Sequence, residues 1–453
     1  MFRKKSSKSI PNKMKYILVY LLIFSSMLVV AQVNESKSQG GSPQMRVAMD
    51  AVALKIPEGY TKNLHWDLIL DTIGEKGSVI TWKSSNPAYL SNKGKLLKLS
   101  ARHASKIKLK LTATVSMGSV KYKKPFNITI AYQEPLLNGY LFTYFEGSGP
   151  RDKDEQIRFG LSADAINWFA LNNNQPIIAS EQISSTGGVR DPHILRGENE
   201  QTFYMVATDM STAKNGWGHN PGIVLLKSVN LTDWKHGFID LEKTYPTKFK
   251  NIQWVWAPQT IFDPAVGKYL VYFTVKFKDD AKLDFYAAYA NAEFNAFENV
   301  PSLMFSPKYG AIDGDIIYKD GTYHFFFKGN TKDENGKEVR NGIRKATAKT
   351  LQGPWKEEFE YLDAYSAKKV VVEGSSVFKL NNVDEYILMY DLYTNKRYEF
   401  QRSKDLNTFT AKPESFTKNF FPRHGSVIGI TSAEAKRLNE KWGGIPADLF
   451  KNQ

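Results

Sequence analysis

The chain has 453 residues, of which 42% are hydrophobic and 13% aromatic, and this length predicts two or three domains with sizeable cores. It contains no cysteine, which excludes disulfides and acylation of a cysteine at a cleavage site. The formal net charge of +15 lies in the first 134 residues, which excludes a basic nucleic-acid-binding groove in the remainder.

Residues 1–31 have the pattern of a signal peptide. Six basic residues precede an apolar run from Ile17 to Val30, and the segment contains no acidic residue. Small residues near Ala31 provide a cleavage site, and the run is short for a membrane span. The sequence therefore predicts export to the periplasm or the extracellular space. An uncleaved N-terminal anchor is the alternative.

Residues 32–44 are polar, contain two glycines and predict a flexible linker. Residues 45–134 predict a small β-sandwich because short alternating segments are separated by turns. Strands are predicted at Ser78–Trp82, Lys95–Lys98, Ile107–Val115 and Phe126–Ile130. The segment ITWKSSNPAYLSNKGKLLKL (80–99) resembles the bacterial immunoglobulin-like modules found beside extracellular carbohydrate-active enzymes.

The excess positive charge is concentrated in that small module. Residues 45–134 contain fifteen basic and six acidic residues, and the leader holds six more basic residues. Residues 135–453 are consequently close to neutral. A contact of the basic module with a cell surface or a polysaccharide is one interpretation. A solvated, lysine-rich sheet face is the other. Nucleic acid is not an expected partner.

An aromatic strand recurs from residue 139 onward, and each copy precedes a second strand and a turn that ends in an aromatic residue. The copies are Gly139–Phe145, Thr202–Ala207, Lys268–Phe273, Thr322–Phe327 and Glu385–Tyr390. The closing aromatic residues lie 54 to 66 residues apart. Five copies of about four strands predict an all-β chain with a five-bladed β-propeller at 135–430.

Both ends of the repeat fit this interpretation. The first copy lacks a leading strand, whereas the last leading segment, His424–Ile430, has no blade after it. We expect the two to pair and close the ring, since this leaves no exposed sheet edge. Residues 431–453 predict a short terminal helix.

Similar residues precede each repeat, and inner strands of a propeller line its axis. The leading positions are Asp191, the group Trp256–Gln259, Asp313, Glu373 and His424. Three carboxylates at one axis would shift one another's pKa, so that one stays protonated while another is ionised. That is the requirement for a general acid and a general base. Trp256 is either a sugar platform or a packing residue.

Each ionisable residue also has a simpler interpretation. An acidic residue beside proline or glycine is often a turn residue, which applies to Asp191 and Asp313. Glu373, beside Gly374, could instead be solvated on a loop. Asp315 is a rival to Asp313, which could also be a cation ligand. His424 could be a core histidine that bonds to backbone.

Residues 137–430 resemble glycoside hydrolase family 43, whose five-bladed propellers hydrolyse arabinofuranosyl or xylosyl linkages. Asp191 in Asp-Pro-His-Ile matches the family's general base, and Asp313 in Ala-Ile-Asp-Gly matches the aspartate that orients the acid. Glu373 in Val-Glu-Gly-Ser-Ser matches the general acid. The resemblance implies an inverting single displacement, with the acid and base about 6.5–9.5 Å apart rather than the roughly 5 Å of a retaining pair.

The resemblance extends to Trp256 in Trp-Ala-Pro, although Gln259 stands where an acidic residue often follows. These two residues are expected to bind substrate. His424 resembles an axial histidine that supports a calcium or its water shell in many members, so a structural calcium is expected there. The chemistry itself requires no cofactor.

The resemblance leaves the sugar open among α-L-arabinofuranoside, β-D-xyloside and galactofuranoside, and exo and endo action are equally open. A fructan-hydrolysing propeller is a further alternative, but the chain has no Asn-Asp-Pro-Asn-Gly motif. A propeller that binds glycans without cleaving them is an alternative from another class.

Overall fold

The computed structural model describes residues 41–56, 59–62, 64, 67–96, 107–130, 136–146, 151–200, 202–332, 335–365 and 370–450. The chain divides into two compact units, one ending at Ile130 and the other made mainly of later residues. The predicted signal peptide and the linker up to residue 40 lie outside the described residues. Within those residues no helix has the length and apolar character needed to span a membrane.

The first unit is a three-stranded antiparallel sheet with a helix against one face. Its elements are α1 (Pro43–Ala53), α2 (Gly59–Lys62), β1 (Val79–Ser84), β2 (Ile107–Met117) and β3 (Val120–Ile130), and the strand order is β1-β2-β3. Alternation along the strands turns Ile80, Ala113 and Val115 to one face, where they pack against Val47 and Ala51 of α1.

The predicted start of this unit needs correction. Short strands were expected from residue 45, but α1 begins inside the predicted linker, since Pro43 occupies its first turn and the Ser42 hydroxyl accepts from the Met45 N–H. Val47 and Ala51, four residues apart, then share one apolar face. The predicted strand Lys95–Lys98 lies partly outside the described residues. The described part holds one sheet, so the second sheet of a sandwich stays a prediction.

The second unit contains five sheets among its described residues. Its first strands are β4 (Gly139–Glu146), β5 (Arg158–Ser162) and β6 (Asn167–Ala170). The second sheet contains β7 (Val189–Arg196), β8 (Phe203–Asp209), β9 (Gly222–Ser228) and β10 (Lys235–Asp240). The third contains β11 (Ile252–Asp263), β12 (Lys268–Phe277), β13 (Asp284–Tyr289) and β14 (Ser302–Phe305).

The fourth sheet contains β15 (Ala311–Lys319), β16 (Thr322–Lys332), β17 (Glu338–Ala348) and β18 (Lys356–Glu357). The fifth contains β19 (Glu373–Lys379), β20 (Tyr386–Leu392), β21 (Arg397–Ser403) and β22 (Glu414–Ser415). Two late strands, β23 (Thr417–Lys418) and β24 (Pro422–Ile430), join the first sheet, whose order is β23-β6-β5-β4-β24.

The pairing of β24 with β4 confirms the predicted closure. The register runs antiparallel from Pro422 opposite Glu146 to Ile430 opposite Gly139. The leading strands also contact one another in a cycle, β7 with β11, then β15, β19, β24 and back to β7. Every sheet thus presents its leading strand to the leading strands of two neighbours.

Aromatic residues fill the spaces between neighbouring sheets. Phe285 of the third sheet and Phe325 of the fourth lie with ring centroids 4.6 Å apart, and Phe327 packs beside them. All three rings are almost fully buried. Each buried ring contributes about 1.5–3 kcal/mol relative to exposure, so these clusters hold the sheets, and the axial residues on them, in fixed positions.

Short helices connect the strands of the second unit, and one longer helix follows them. They are α3 (Arg151–Asp154), α4 (Ser180–Ile183), α5 (Thr212–Asn215), α6 (Leu241–Thr244), α7 (Pro246–Phe249) and α8 (Ser432–Trp442). Thr431 and Glu434 form a reciprocal capping box at the start of α8. Ala435 and Leu438 bury its apolar face, so a helix does occupy the predicted terminal segment.

Candidate active site

A β-bulge interrupts each of the five leading strands at an equivalent place. The register shifts lie between Arg190 and His193, Trp256 and Gln259, Ile312 and Asp315, Glu373 and Ser376, and Arg423 and Gly425. A bulge bends its strand and redirects the side chain of the extra residue. The five bulges therefore turn five equivalent side chains or glycines towards the middle of the ring.

Four of the bulge residues have a left-handed backbone, with φ of 51° at Asp191, 46° at Ala257, 54° at Asp313 and 63° at Gly374. This region is unfavourable for residues other than glycine, and asparagine and aspartate tolerate it best. Backbone strain of this kind persists where the surrounding fold enforces it, commonly at functional sites. The surrounding fold thus holds Asp191 and Asp313 in an unfavourable backbone conformation.

The bulges correct the predicted alignment of the site. Asp191, Asp313 and His424 are equivalent bulge residues, as expected. Glu373 stands one residue earlier, level with Trp256 and Arg423, and Gly374 occupies the bulge. Each bulge adds one residue and so changes which face of the strand the following side chains occupy. The sequence pattern therefore did not reveal that Glu373 lies one position before the bulge residue.

His424 lies between the predicted base and the predicted acid. Its Nδ1 is 3.0 Å from Oδ1 of Asp191 and 3.8 Å from Oδ2 of Asp313, and its Nε2 is 3.1 Å from Oε1 of Glu373. Neither ring nitrogen has a partner with hydrogen-bond geometry among the described residues. The structure thus brings all three predicted carboxylates around one buried imidazole.

Gly374 makes this close approach feasible. A Cβ atom at Gly374 would lie 2.4 Å from Cδ2 of His424, far inside van der Waals contact. The Gly374 N–H donates to Oδ2 of Asp313 at 2.9 Å, and the Ser375 hydroxyl donates to the Asp313 carbonyl at 2.6 Å. The bulge of β19 therefore holds Asp313 and leaves space for the imidazole.

Two cations bind the carboxylate of Glu373. Lys328 Nζ lies 2.8 Å from Oε2, and Arg423 Nη2 lies 2.7 Å from Oε1. Arg423 also contacts Asp391 through Nε, 2.5 Å from Oδ2. Lys328 and Asp391 lie opposite Ile312 and Glu373 on the neighbouring strands, and both are buried.

These contacts set the ionisation of the site. Burial acts to raise the pKa of Asp191, but His424, Arg190 and the Thr208 hydroxyl outweigh it and hold that pKa below its usual value. Burial likewise acts against ionised Glu373, but His424 and the two cations hold its pKa well below its ordinary range. Both carboxylates are therefore ionised in the free site.

The pKa values of the neighbouring ionisable side chains are shifted upwards. Burial raises the pKa of Asp313, with repulsion from Glu373 and Asp191 adding to the effect. Burial raises the pKa of Asp391 to about 6. Burial acts to lower the pKa of His424, but the carboxylates around it raise it well above its usual value, so the imidazole is cationic.

A second set of equivalent side chains follows the bulges and joins the sheets. The His193 Nδ1, the Asp315 Oδ2 and the Ser426 Oγ each accept from a backbone N–H of the next leading strand, at 3.3, 2.7 and 2.7 Å. Gln259 belongs to this set and accepts from the Tyr272 hydroxyl. Asp315, the rival to Asp313, is thus a buried structural residue, and burial raises its pKa to about 7.

A cavity of about 20 Å³ lies between the bulge residues and this second set. Asp191, His193, Gln259, Asp313 and His424 are among the residues that line it. The volume is sufficient for one water molecule. Gln259, predicted to bind substrate, is buried and faces this cavity.

Trp256, the other predicted substrate-binding residue, belongs to an aromatic wall. Its ring stacks on Trp254 at 4.4 Å and meets Trp217 edge-on at 6.1 Å. Trp254 donates from its indole to the carbonyls of Trp217 and Gly218, which fixes that loop. Trp217 is 52% exposed, and the Arg190 guanidinium lies 4.9 Å from its ring.

The sequence reading missed Lys328, Asp391 and Arg423. The sequence contains a sign of each residue. Lys328 and Asp391 directly follow the aromatic segments Thr322–Phe327 and Glu385–Tyr390, and Arg423 directly precedes His424. A charged side chain that is buried within a strand usually needs a partner. That signal identifies a buried charge but does not identify which carboxylate it meets.

The side chains around His424 do not match the ligands of the predicted calcium. Asp313, Glu373 and His424 present ligand atoms within 4.8 Å of one another. Calcium takes six to eight oxygen ligands, whereas this set offers one imidazole and two carboxylates. Both oxygens of Glu373 already accept from cations. The protein groups do not supply the oxygen shell that calcium needs.

Two family models match the chain. The model described as "Probable glycosyl hydrolase domain", of the family 43-related type, matches residues 135–436. This covers more than half of the chain. The chain belongs to the family 43-related glycosyl hydrolases. This membership confirms the prediction of a glycosidase. Residues 47–133 match the model described as "Atrophied bacterial Ig domain", which confirms the predicted relation to immunoglobulin-like modules.

Individual relatives and solved structures are distant in sequence. A curated α-L-arabinofuranosidase of Bifidobacterium longum is 23% identical over 402 residues, which cover 76% of this chain and 37% of that protein. The crystal structure of a Clostridium thermocellum α-L-arabinofuranosidase is 10% identical, with a TM-score of 0.43, over 72% of this chain and 97% of that one. A Xanthomonas citri family 43 enzyme solved with xylose is 15% identical, with a TM-score of 0.40, over 53% of this chain and 75% of that one.

Proposed function

We propose that the second unit hydrolyses α-L-arabinofuranosyl or β-D-xylosyl linkages by an inverting single displacement. The observation that carries this proposal is the convergence of Asp191, Asp313 and Glu373 on His424 in a family 43-related hydrolase. The description of the curated relative as an α-L-arabinofuranosidase supports the choice of sugar. The chain spans only 37% of that relative's length.

Asp191 is the general base in this proposal. Its carboxylate is ionised, as a base requires, and it accepts from the Thr208 hydroxyl at 3.1 Å through Oδ2. That hydrogen bond fixes one oxygen of the carboxylate. Asp191 removes a proton from a water molecule, and the resulting hydroxide attacks the anomeric carbon of the sugar.

Glu373 is the general acid, and its proton comes from the surrounding group. In the free site Lys328 and Arg423 stabilise the ionised form of its carboxylate. The nearest proton donor is the imidazolium of His424, whose Nε2 lies 3.1 Å from Oε1 of Glu373. Groups this close titrate together, so the proton belongs to the whole cluster. Substrate draws that proton onto Glu373, which delivers it to the leaving oxygen. Asp313 orients the cluster through Gly374.

The imidazole ring of His424 lies between the carboxylates of Asp191 and Glu373 and keeps them apart, which favours an inverting mechanism. Such pairs are about 6.5–9.5 Å apart because a water molecule must fit between the base and the sugar. The steps assigned to Asp191, Asp313 and Glu373 use only the chain's own side chains and one water molecule.

We also propose the architecture and location that accompany this activity. The five sheets with a cyclic arrangement of leading strands support a five-bladed β-propeller. The basic and apolar segments of residues 1–31 support export to the periplasm or the extracellular space. The match of residues 47–133 supports an immunoglobulin-like sandwich in the first unit.

The test is hydrolysis of aryl α-L-arabinofuranoside, β-D-xyloside and β-D-galactofuranoside, with fructan as a further substrate. NMR of the first product formed distinguishes inversion from retention. We expect turnover of the arabinofuranoside or the xyloside with inversion. Retention contradicts the mechanism, whereas preferred cleavage of the galactofuranoside or fructan contradicts the sugar assignment. Glycan binding without any turnover indicates a non-catalytic propeller.

A further inference from the structure

One face of the sheet in the first unit is exposed and rich in lysine. Side chains alternate between the two faces of a strand, and α1 packs against the face that contains Ile80, Ala113 and Val115. The opposite face presents exposed lysines from all three strands. They are Lys83, Lys108, Lys110, Lys121 and Lys123, here called the lysine face.

Residues that lie side by side on neighbouring strands are here called a rung. The strand register places one lysine on each successive rung of this face. The rungs, each perpendicular to the strands, are Lys108/Thr129, Lys110/Asn127, Lys83/Thr112/Pro125, Thr81/Thr114/Lys123 and Val79/Ser116/Lys121. Adjacent rungs are two residues apart along β2. With about 3.4 Å per residue, positive charges recur roughly every 7 Å along the strands. The lysines are distributed over all three strands and along the length of the face rather than gathered in a single cluster.

Apart from Val79 and Pro125, the other residues on the rungs of this face carry hydroxyl or amide groups, and none carries a negative charge. The segments of β1, β2 and β3 contain no acidic residue. Thr112, Thr114, Ser116 and Asn127 lie among the lysines on the same side of the sheet. Positive charges distributed along the face, with polar groups between them, complement a polymer that carries repeated anions and hydroxyl groups.

We propose that the lysine face binds an acidic polysaccharide, whose carboxylates pair with the lysines and whose hydroxyl groups meet the threonine, serine and asparagine side chains. Single-stranded nucleic acid is less suited, because its bases stack on aromatic side chains and the rungs of this face contain none. The same chain carries a glycosyl hydrolase domain, which agrees with a carbohydrate ligand. The proposal does not depend on the catalytic mechanism.

The test uses the full chain and polygalacturonate as the probe. The face variant carries Lys110→Gln, Lys121→Gln and Lys123→Gln. The matched control carries Lys55→Gln, Lys93→Gln and Lys95→Gln, three exposed lysines of the same unit that lie outside its strands. Both variants lose the same net charge. Isothermal titration calorimetry at low and moderate salt measures affinity, and circular dichroism checks that both variants fold.

We expect the face variant to bind polygalacturonate more weakly by on the order of tenfold, whereas the control stays within about twofold. Replacing the same three face lysines by arginine should preserve binding, since the charge remains. Equal losses in face and control variants would show a general charge effect and overturn the proposal. So would the absence of wild-type binding at low salt, or tighter binding to DNA than to polygalacturonate.

Discussion

The ammonium nitrogen of Lys328 lies 2.8 Å from Oε2 of Glu373, and the two side chains are only 8% and 13% exposed. An opposite charge at this distance favours the ionised carboxylate, more strongly when water is largely excluded. A general acid must instead carry a proton. Lys328 therefore works against the acid form of Glu373 and sets the pH range in which the proposed reaction proceeds.

Lys328→Met should move the alkaline limb of the kcat/KM profile to higher pH. The lysine holds the pKa of Glu373 down, so its removal raises that pKa, and the cluster of Glu373 and His424 keeps the proton for the leaving group to higher pH. The expected displacement is about one unit or more. Rates measured from pH 4 to 9 provide the profile. Lys349→Met, which changes an exposed lysine directly after β17, should leave the profile unchanged. A shift towards lower pH would contradict the assigned role.

Glu373→Gln and Asp191→Asn should differ in their dependence on the leaving group. Loss of the acid slows substrates with poor leaving groups by about 10²–10⁴, but an activated aryl glycoside needs no protonation and should recover most of its rate. Loss of the base slows both substrates, because the attacking water still needs a base. Rates for alkyl and dinitrophenyl glycosides measure this. Equal losses for Glu373→Gln on both substrates would remove Glu373 as the acid.

Gly374→Ala should disrupt the site beyond its backbone strain. The new Cβ would lie 2.4 Å from the His424 ring, so the imidazole or the bulge must move. Gly267→Ala is the control, because Gly267 has a similar φ of 68° and nothing within 4 Å of the added Cβ. Both changes cost about 1–3 kcal/mol of strain. Only Gly374→Ala should lower kcat, by about 10² or more. Unfolding curves and rates measure both effects, and equal rates in the two variants would contradict this steric role.

Trp217→Ala should weaken the binding of oligosaccharides. Trp217 is half exposed at the edge of the wall formed with Trp254 and Trp256, where a sugar ring could stack. Loss of one such aromatic contact should raise KM by about three- to tenfold with little change in kcat. A small aryl glycoside should be less affected. Phe238→Ala, an exposed aromatic on β10, is the control. An unchanged KM for oligosaccharides would exclude Trp217 from binding.

The repeat of aromatic strands was sufficient to predict the sheets, the closing pair β4 and β24, and the convergence of Asp191, Asp313 and His424. These features follow from periodicity, which survives in the sequence because every sheet uses the same packing. The position of Glu373 relative to the others did not follow. It depends on where a bulge inserts its extra residue, and a bulge has no fixed sequence signature.

The charged residues around Glu373 could not be predicted from the sequence either. Lys328 and Asp391 lie on the second strands of their sheets, and they reach the site because each strand register places them opposite Ile312 and Glu373. Register depends on pairing between strands and is not visible within either strand alone. The helix α1 was missed for a local reason, since its Ser-Pro start resembles the end of a polar linker.

The pairing of β24 with β4 has a consequence for biosynthesis. Asp191, Asp313 and Glu373 all emerge from the ribosome before β24, which carries Arg423 and His424. Without that strand the three carboxylates lack both the imidazole that lies between them and one of the cations that contact Glu373. The site is therefore complete only when the last strand of the second unit has been made and has paired with the first, so we expect a chain that stops before β24 to hydrolyse no sugar.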